Sequence, residues 1–286
     1  MSDFDFRFGG IARLHGKAAL GRFRAAHVMV VGIGGVGSWV VEALARSGIG
    51  RLTLVDLDEV CVSNINRQLH ALDSTVGRSK VEVMAERVRA ISPEARVDAR
   101  IEFFTAETAS RLLGLEGGSI PGDRPDFVVD AIDAMSNKVR LIALCRGAGI
   151  PLVVCGGAGG RRDPTAVRVA DLASVTHDRL LSEVRKRLRR EHGLSRSSKK
   201  LRIECVHSAE APVFPDRDGG ICATRAADDG TPLRLNCESG FGSATQVTGT
   251  FGFAAAARVL ARLAAEVPNS NPEPNRSALP DLARKA

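Results

Sequence analysis

The residues best suited to chemistry cluster in the first half of the chain. Gly32-Ile33-Gly34-Gly35-Val36-Gly37 is a glycine turn in which Gly32, Gly34, Gly35 and Gly37 let the backbone bend tightly and let a phosphate approach main-chain N–H groups. About twenty residues later, at the end of the next hydrophobic run, stand Asp56 and Asp58, a spacing that suits carboxylates accepting from ribose hydroxyls. On the plainer reading the two acids cap a loop. A glycine turn of this kind serves several nucleotides, so by itself it does not separate ATP from a dinucleotide.

These residues need a β-α-β frame. His27 to Val31 reads as a strand ending at the turn, Val36 to Ser47 as a helix with Trp39, Val40, Ala43 and Leu44 on one face, and Leu52 to Val55 as a second strand. Further on, Lys80 to Ile91 and Ser136 to Ala148 read as helices. Val97 to Ile101, Phe127 to Val129 and Leu152 to Val154 read as strands. Strands alternating with helices predict an α/β, Rossmann-like fold with a mainly parallel sheet covered on both faces. Ligands in such sheets lie beyond the strand carboxyl ends.

After about Gly160 the pattern loosens into a strand-like Val167 to Val169, a basic helix from about Asp178 to His192, and a Ser/Lys/Arg loop ending near Arg202. The expected organisation is a nucleotide-binding domain over residues 1–160, a substrate lobe with a C-terminal helix over 161–267, and a disordered tail over 268–286. Gly240 to Glu266 is small and apolar, but Arg258 and Arg262 interrupt it, so a packed helix is expected rather than a membrane span.

The chain has 286 residues, 44% of them hydrophobic, enough to bury a substantial core. Met1 to Phe8 lacks the apolar stretch of a signal peptide, and a cytoplasmic location is expected. The cysteines Cys61, Cys145, Cys155, Cys205, Cys222 and Cys237 form no C-x-x-C pair, which argues against a structural zinc and for reduced thiols. A formal charge of +7 permits a polyanionic partner without demanding one. With no tyrosine in the chain, any base stacking falls to Phe, Trp, His or Arg.

The segment from Asp56 through Asn64-Ile65-Asn66-Arg67-Gln68 to His70, with Val76-Gly77-Arg78-Ser79-Lys80, resembles the ubiquitin-activating-enzyme-like superfamily that includes the bacterial ThiF and MoeB adenylyltransferases. The resemblance runs from Phe6 to about Gly157. It implies that Asn64, Arg67, Gln68 and Lys80 contact ATP phosphates and that Asp133 helps bind Mg2+. Transfer to an α-phosphate builds negative charge that Arg67, Lys80 and a cation would neutralise. Otherwise Arg67 and Lys80 are solvated surface charges and Asp133 is a helix N-cap.

Four more segments, Arg7 to Leu14, Cys155 to Gly160, Asp163-Pro164-Thr165 and Cys237 to Thr245, resemble the tRNA threonylcarbamoyladenosine dehydratases. That family activates the threonyl carboxylate of a modified adenosine beside the anticodon with ATP, and loss of AMP closes a ring. The resemblance implies a tRNA substrate, with Arg179 to Arg202 as a phosphate-contacting surface, although a basic helix is usually just a solvated face. Cys237 either forms a thioester with the activated carboxylate or is a small packed residue.

Related enzymes draw an arginine from a partner subunit, which implies a homodimer and makes Arg7 or Arg13 the candidate. The competing activity is adenylation of a ubiquitin-like sulfur-carrier protein at its C-terminal glycine, with a carrier or sulfur-transfer protein as partner. A dinucleotide oxidoreductase would leave Arg67 and Lys80 without a task, and so would a non-catalytic binding module.

Overall fold

The computed structural model describes residues 2–116, 123–195, 198–216, 220–223 and 241–265. Cys237 and the tail from 268 therefore lie outside the described residues. Three short helices come first: α1 (Asp3–Arg7), α2 (Gly9–His15) and α3 (Lys17–Ala25). The sequence reading contained none of them, because Gly9, Gly10 and Gly16 break the run before a 3.6-residue period can register.

The alternating unit follows as β1 (His27–Val31), α4 (Gly37–Arg46), β2 (Arg51–Val55), α5 (Lys80–Ile91), β3 (Arg96–Arg100), α6 (Ala109–Leu112), β4 (Phe127–Asp130), α7 (Met135–Ala148) and β5 (Leu152–Cys155). Then come β6 (Val167–Asp171), α8 (Arg179–Glu191), β7 (Glu204–Ser208), the short hairpin β8 (Phe214–Pro215) and β9 (Ile221–Cys222), and α9 (Thr245–Ala265).

One seven-stranded sheet runs in the order β3-β2-β1-β4-β5-β7-β6. All its pairings are parallel except β6 against β7. Strand order reverses between β1 and β4, so their carboxyl ends open the crevice in which such sheets hold ligands. The α/β, Rossmann-like class is the observed one. The strands β6 and β7, both beyond residue 160, complete the sheet that the first half begins.

Strand alternation divides the core. Val28, Val30, Leu52, Leu54 and Val129 face a layer of α3, α4, α5 and α9. Met29, Val31, Val55 and Val128 face α6 and α7. A third cluster seats α8 through Leu181, Val184 and Leu188. Fully covered parallel strands read as continuous apolar runs, which is why β1 and β4 are legible in the sequence.

Helix α9 begins at Thr245 rather than near Gly240. It crosses α4 so closely that a Cβ on Gly252 would sit 2.6 Å from Trp39 Cβ. Its apolar face is thus packed on α4, α3 and the sheet, and no helix among the described residues is long and apolar enough to cross a membrane.

Candidate adenylation site

The turn after β1 is built by exclusion. Gly32 has φ of +90°, and a Cβ there would lie 2.7 Å from the Ala131 carbonyl oxygen. At Gly37 a Cβ would lie 1.8 Å from the Gly32 carbonyl oxygen, so only glycine permits this strand-to-helix turn. No described residue accepts a hydrogen bond from the N–H groups of Gly34, Gly35, Val36 or Gly37. Successive free donors at the start of α4 make a cradle for an anion.

Asp56 ties the turn to β2. Its carboxylate accepts from Ile33 N at 2.6 Å and from Asp58 N at 2.9 Å. The loop-capping role is therefore real, and the remaining lone pairs still permit a ribose contact. Burial pushes the Asp56 carboxyl above the ordinary carboxylate range, with the Lys80 ammonium opposing it. Asp58 is half exposed and pairs with Lys80 Nζ at 2.8 Å.

Lys80 is not a solvated surface charge: its side chain is 7% exposed, and it opens α5 against the end of β2. Asn64 is buried in a 3-10 turn, and its Oδ1 accepts from Cys61 N. Gln68 is buried with no partner for its Oε1 among the described residues, and its Nε2 is the nearest atom, at 3.9 Å, to a Cβ built on Gly34. The stem of Arg67 lies over Gly35, where a built Cβ would be 3.5 Å from Arg67 Cγ. Arg67 Nη1 donates to Ser63 O and to Asn66 Oδ1.

Beside Lys80 sits a residue that the sequence did not single out. His70 is buried, neither ring nitrogen finds a partner among the described residues, and burial together with the Lys80 charge holds its imidazole down at about 4. At neutral pH it is an uncharged ring. Nothing in its spacing announces this, because only the fold brings it beside Lys80.

At the end of β4, Asp133 is exposed and makes no hydrogen bond or ion pair among the described residues. The N-cap of α7 is Ala134, without a side-chain cap, so Asp133 does not serve that structural purpose. A free carboxylate at the crevice fits a cation beside a triphosphate. Behind it Asp130 and Lys138 form a fully buried pair at 2.9 Å. Lys138 Nζ also donates to Ile132 O at 2.9 Å, stapling the turn that leads to Asp133.

The second half of the chain reaches the same edge. Gly160 N donates to Gly242 O at 2.7 Å, and Phe241 packs on Gly159, so the segments around Cys155 and Phe241 meet. Cys155 and Cys205 are buried; burial pushes the Cys155 thiol up to about 12 and holds that of Cys205 well above its ordinary value, which disfavours the thiolate at both.

The basic helix is less free than its sequence suggests. Arg185 Nη1 donates to the carbonyls of Leu172 and Val175, Lys186 and Arg187 pair with Glu183, and Arg190 pairs with Glu191. Arg179, Lys199 and Lys200 are exposed, and no ion pair joins them to a described residue. Arg7 pairs with Asp3 and reaches Ile91 O, at the end of α5 opposite Lys80. At 1.5 Å per residue that is about 17 Å along the helix. Arg13 is exposed on α2.

Known proteins resemble this chain over nearly its whole length. The ThiF family model matches residues 10–277. The tRNA threonylcarbamoyladenosine dehydratase of Escherichia coli is 51% identical over 261 residues, covering 91% of this chain and 94% of its own. That of Haemophilus influenzae is 46% identical, covering 92% and 95%. A crystal structure of the E. coli enzyme in complex with ATP superposes with a TM-score of 0.79 at 46% identity, covering 93% of this chain and 97% of that one. The chain, with its glycine turn after β1, belongs to the ThiF family.

Proposed function

We propose that this protein uses ATP to dehydrate and cyclise the threonylcarbamoyl group on a tRNA adenosine next to the anticodon. The observation that carries the reading is the row of four N–H groups from Gly34 to Gly37 for which no described residue is an acceptor, with the Arg67 stem packed over Gly35. It is supported by near-full-length similarity to dehydratases of that name, one of them solved with ATP.

The chemistry divides into two steps. The substrate carboxylate attacks the α-phosphorus, the bond to the β-phosphate bridge breaks, and pyrophosphate leaves from an acyl-adenylate. The carbamoyl group then attacks the activated carbonyl, gives up a proton and expels AMP, which carries away the former carboxylate oxygen. The net change in the nucleoside is loss of one water. Because nucleophile and carbonyl belong to one molecule, proximity makes ring closure intramolecular.

In this reading the Gly34 to Gly37 amides cradle the phosphates, Asn64 and Gln68 place polar groups at the turn, and Arg67 and Lys80 neutralise charge that grows on the phosphoryl oxygens. Asp56 and Asp58 lie where the ribose would be. Asp133 would hold Mg2+, which when bound supplies charge neutralisation on the triphosphate. The acyl group passes to the carbamoyl either directly or through a thioester on Cys237. Cys237→Ala separates the routes: an unchanged cyclisation rate leaves direct closure, and a lost rate with intact adenylation shows the thioester.

The region 161–267 is assigned to the tRNA, with Arg179, Lys199 and Lys200 as phosphate contacts, and a cytoplasmic location follows from that substrate. A homodimer belongs to the same reading. Arg13 is the better candidate for the arginine lent to a partner, since Arg7 is engaged by Asp3. The test is mass analysis of nucleosides from tRNA carrying the threonylcarbamoyl group after incubation with protein, ATP and Mg2+. A species one water lighter, formed only with ATP, is the expected result. Pyrophosphate release with a sulfur-carrier protein and none with tRNA would instead favour carrier activation.

A further inference from the structure

Arg67 is reached from far along the chain through its neighbour. Asn66 Oδ1 accepts from Arg67 Nη1 at 3.0 Å, while Asn66 Nδ2 donates to Ser243 O at 2.8 Å. The Asn66 carbonyl accepts from Thr245 Oγ1 at 2.6 Å. One residue on, the Arg67 carbonyl accepts from Trp39 Nε1 at 3.2 Å and from Thr248 Oγ1 at 3.2 Å. The methyl of Thr248 lies 3.3 Å from a Cβ built on Gly35.

The strap that makes these contacts, Phe241 to Thr248, is anchored at its other end. Gly242 O accepts from Gly160 N, and the Phe241 ring lies 5.1 Å from that of Phe214. The phosphate-facing turn is therefore tied to the β5 turn by one continuous piece of chain. A long arginine side chain loses much rotamer freedom when it is held for a ligand, so a neighbour that fixes it beforehand lowers that cost at the moment of binding.

We propose that Asn66 is a positioning residue for Arg67: pinned by the Ser243–Thr245 strap, its amide oxygen aims the guanidinium at the ATP phosphates. This rests on the reading that Arg67 contacts those phosphates. Asn66 itself need touch no nucleotide. The strap then makes nucleotide affinity depend on a segment about 180 residues away in sequence, joined to the turn that follows β5.

The test is equilibrium binding of the non-hydrolysable α,β-methylene analogue of ATP, with Mg2+, to the full chain carrying Asn66→Ala, Arg67→Ala, both, or Thr245→Val, with thermal unfolding recorded for each. Asn66→Ala should weaken the analogue about tenfold, the order of one hydrogen bond to a charged group. Its unfolding midpoint should be unchanged, because Asn66 is exposed. Thr245→Val, which leaves the Asn66 side chain in place and removes one anchor, should weaken it about threefold.

In the Arg67→Ala background the Asn66 substitution should have no further effect, the signature of one residue acting through another. An undiminished Asn66 effect in that background, or wild-type affinity in Asn66→Ala, overturns the positioning role. Wild-type affinity in Thr245→Val removes the strap from it. Wild-type affinity in Arg67→Ala overturns the phosphate contact of Arg67, and the positioning role with it.

Discussion

Lys138→Met is the perturbation whose size the structure sets most directly. Lys138 Nζ is fully buried and donates to Asp130 Oδ1 at 2.9 Å, Ile132 O at 2.9 Å and Asp130 O at 3.5 Å. Methionine conserves most of the volume but leaves the Asp130 carboxylate in the core with only the Ile132 N–H as a donor. Breaking one side of a buried pair costs about 3–5 kcal/mol. For a chain of this size that corresponds to a fall of roughly 6–20 °C in unfolding midpoint.

Burial already pushes the Asp130 carboxyl above its ordinary range, and without Lys138 it rises further. A group whose folded pKa is raised contributes stability that is present below its unfolded pKa and is lost as pH rises through the folded value. The variant should therefore be closest to wild type at the acid end and fall behind it as pH rises toward 8. Urea unfolding at several pH values measures both effects. The double variant Asp130→Asn, Lys138→Met removes the stranded charge and should recover at least half of the loss. A single-variant loss below about 1 kcal/mol, or a double variant no better than the single, would refute the account.

Three further outcomes follow from other parts of the molecule. Lys80→Ala and Asp133→Ala should each abolish AMP formation with substrate tRNA while leaving far-ultraviolet circular dichroism unchanged; near-normal AMP would remove them from the machinery. Gly37→Ala should lose nucleotide binding and be destabilised, since its Cβ would fall 1.8 Å from the Gly32 carbonyl oxygen, and calorimetric titration with ATP checks it. Replacing Arg179, Lys199 and Lys200 together by alanine should reduce the slope of log affinity for tRNA against log salt by about 2. An unchanged slope places the RNA elsewhere.

Much of the fold is legible because parallel strands covered on both faces must be continuously apolar. His27 to Val31 and Phe127 to Val129 announce themselves in this way, and the glycines between β1 and α4 mark a turn that no other residue could make. The strand β7 carries Glu204 and His207 within a short run after a charged loop, and so escapes a pattern search. The three opening helices escape because each is short and Gly9, Gly10 and Gly16 break the run between them.

Residue types and spacing alone pointed to a nucleotide at the Gly32 to Gly37 turn, since that feature is local, whereas Arg67, Lys80 and Asp133 were expected around it through the resemblance to adenylating enzymes. Tertiary structure decided that Lys80 is buried beside His70, that Asp133 is not a helix cap, and that Lys186, Arg187 and Arg190, three of the six cations of α8, pair with its own acids. It alone joined Asn66 to Ser243 and Thr245. The reason is physical: burial and hydrogen-bond partnership depend on which elements the sheet order brings together, and no spacing along the chain encodes a contact between strands and helices that far apart.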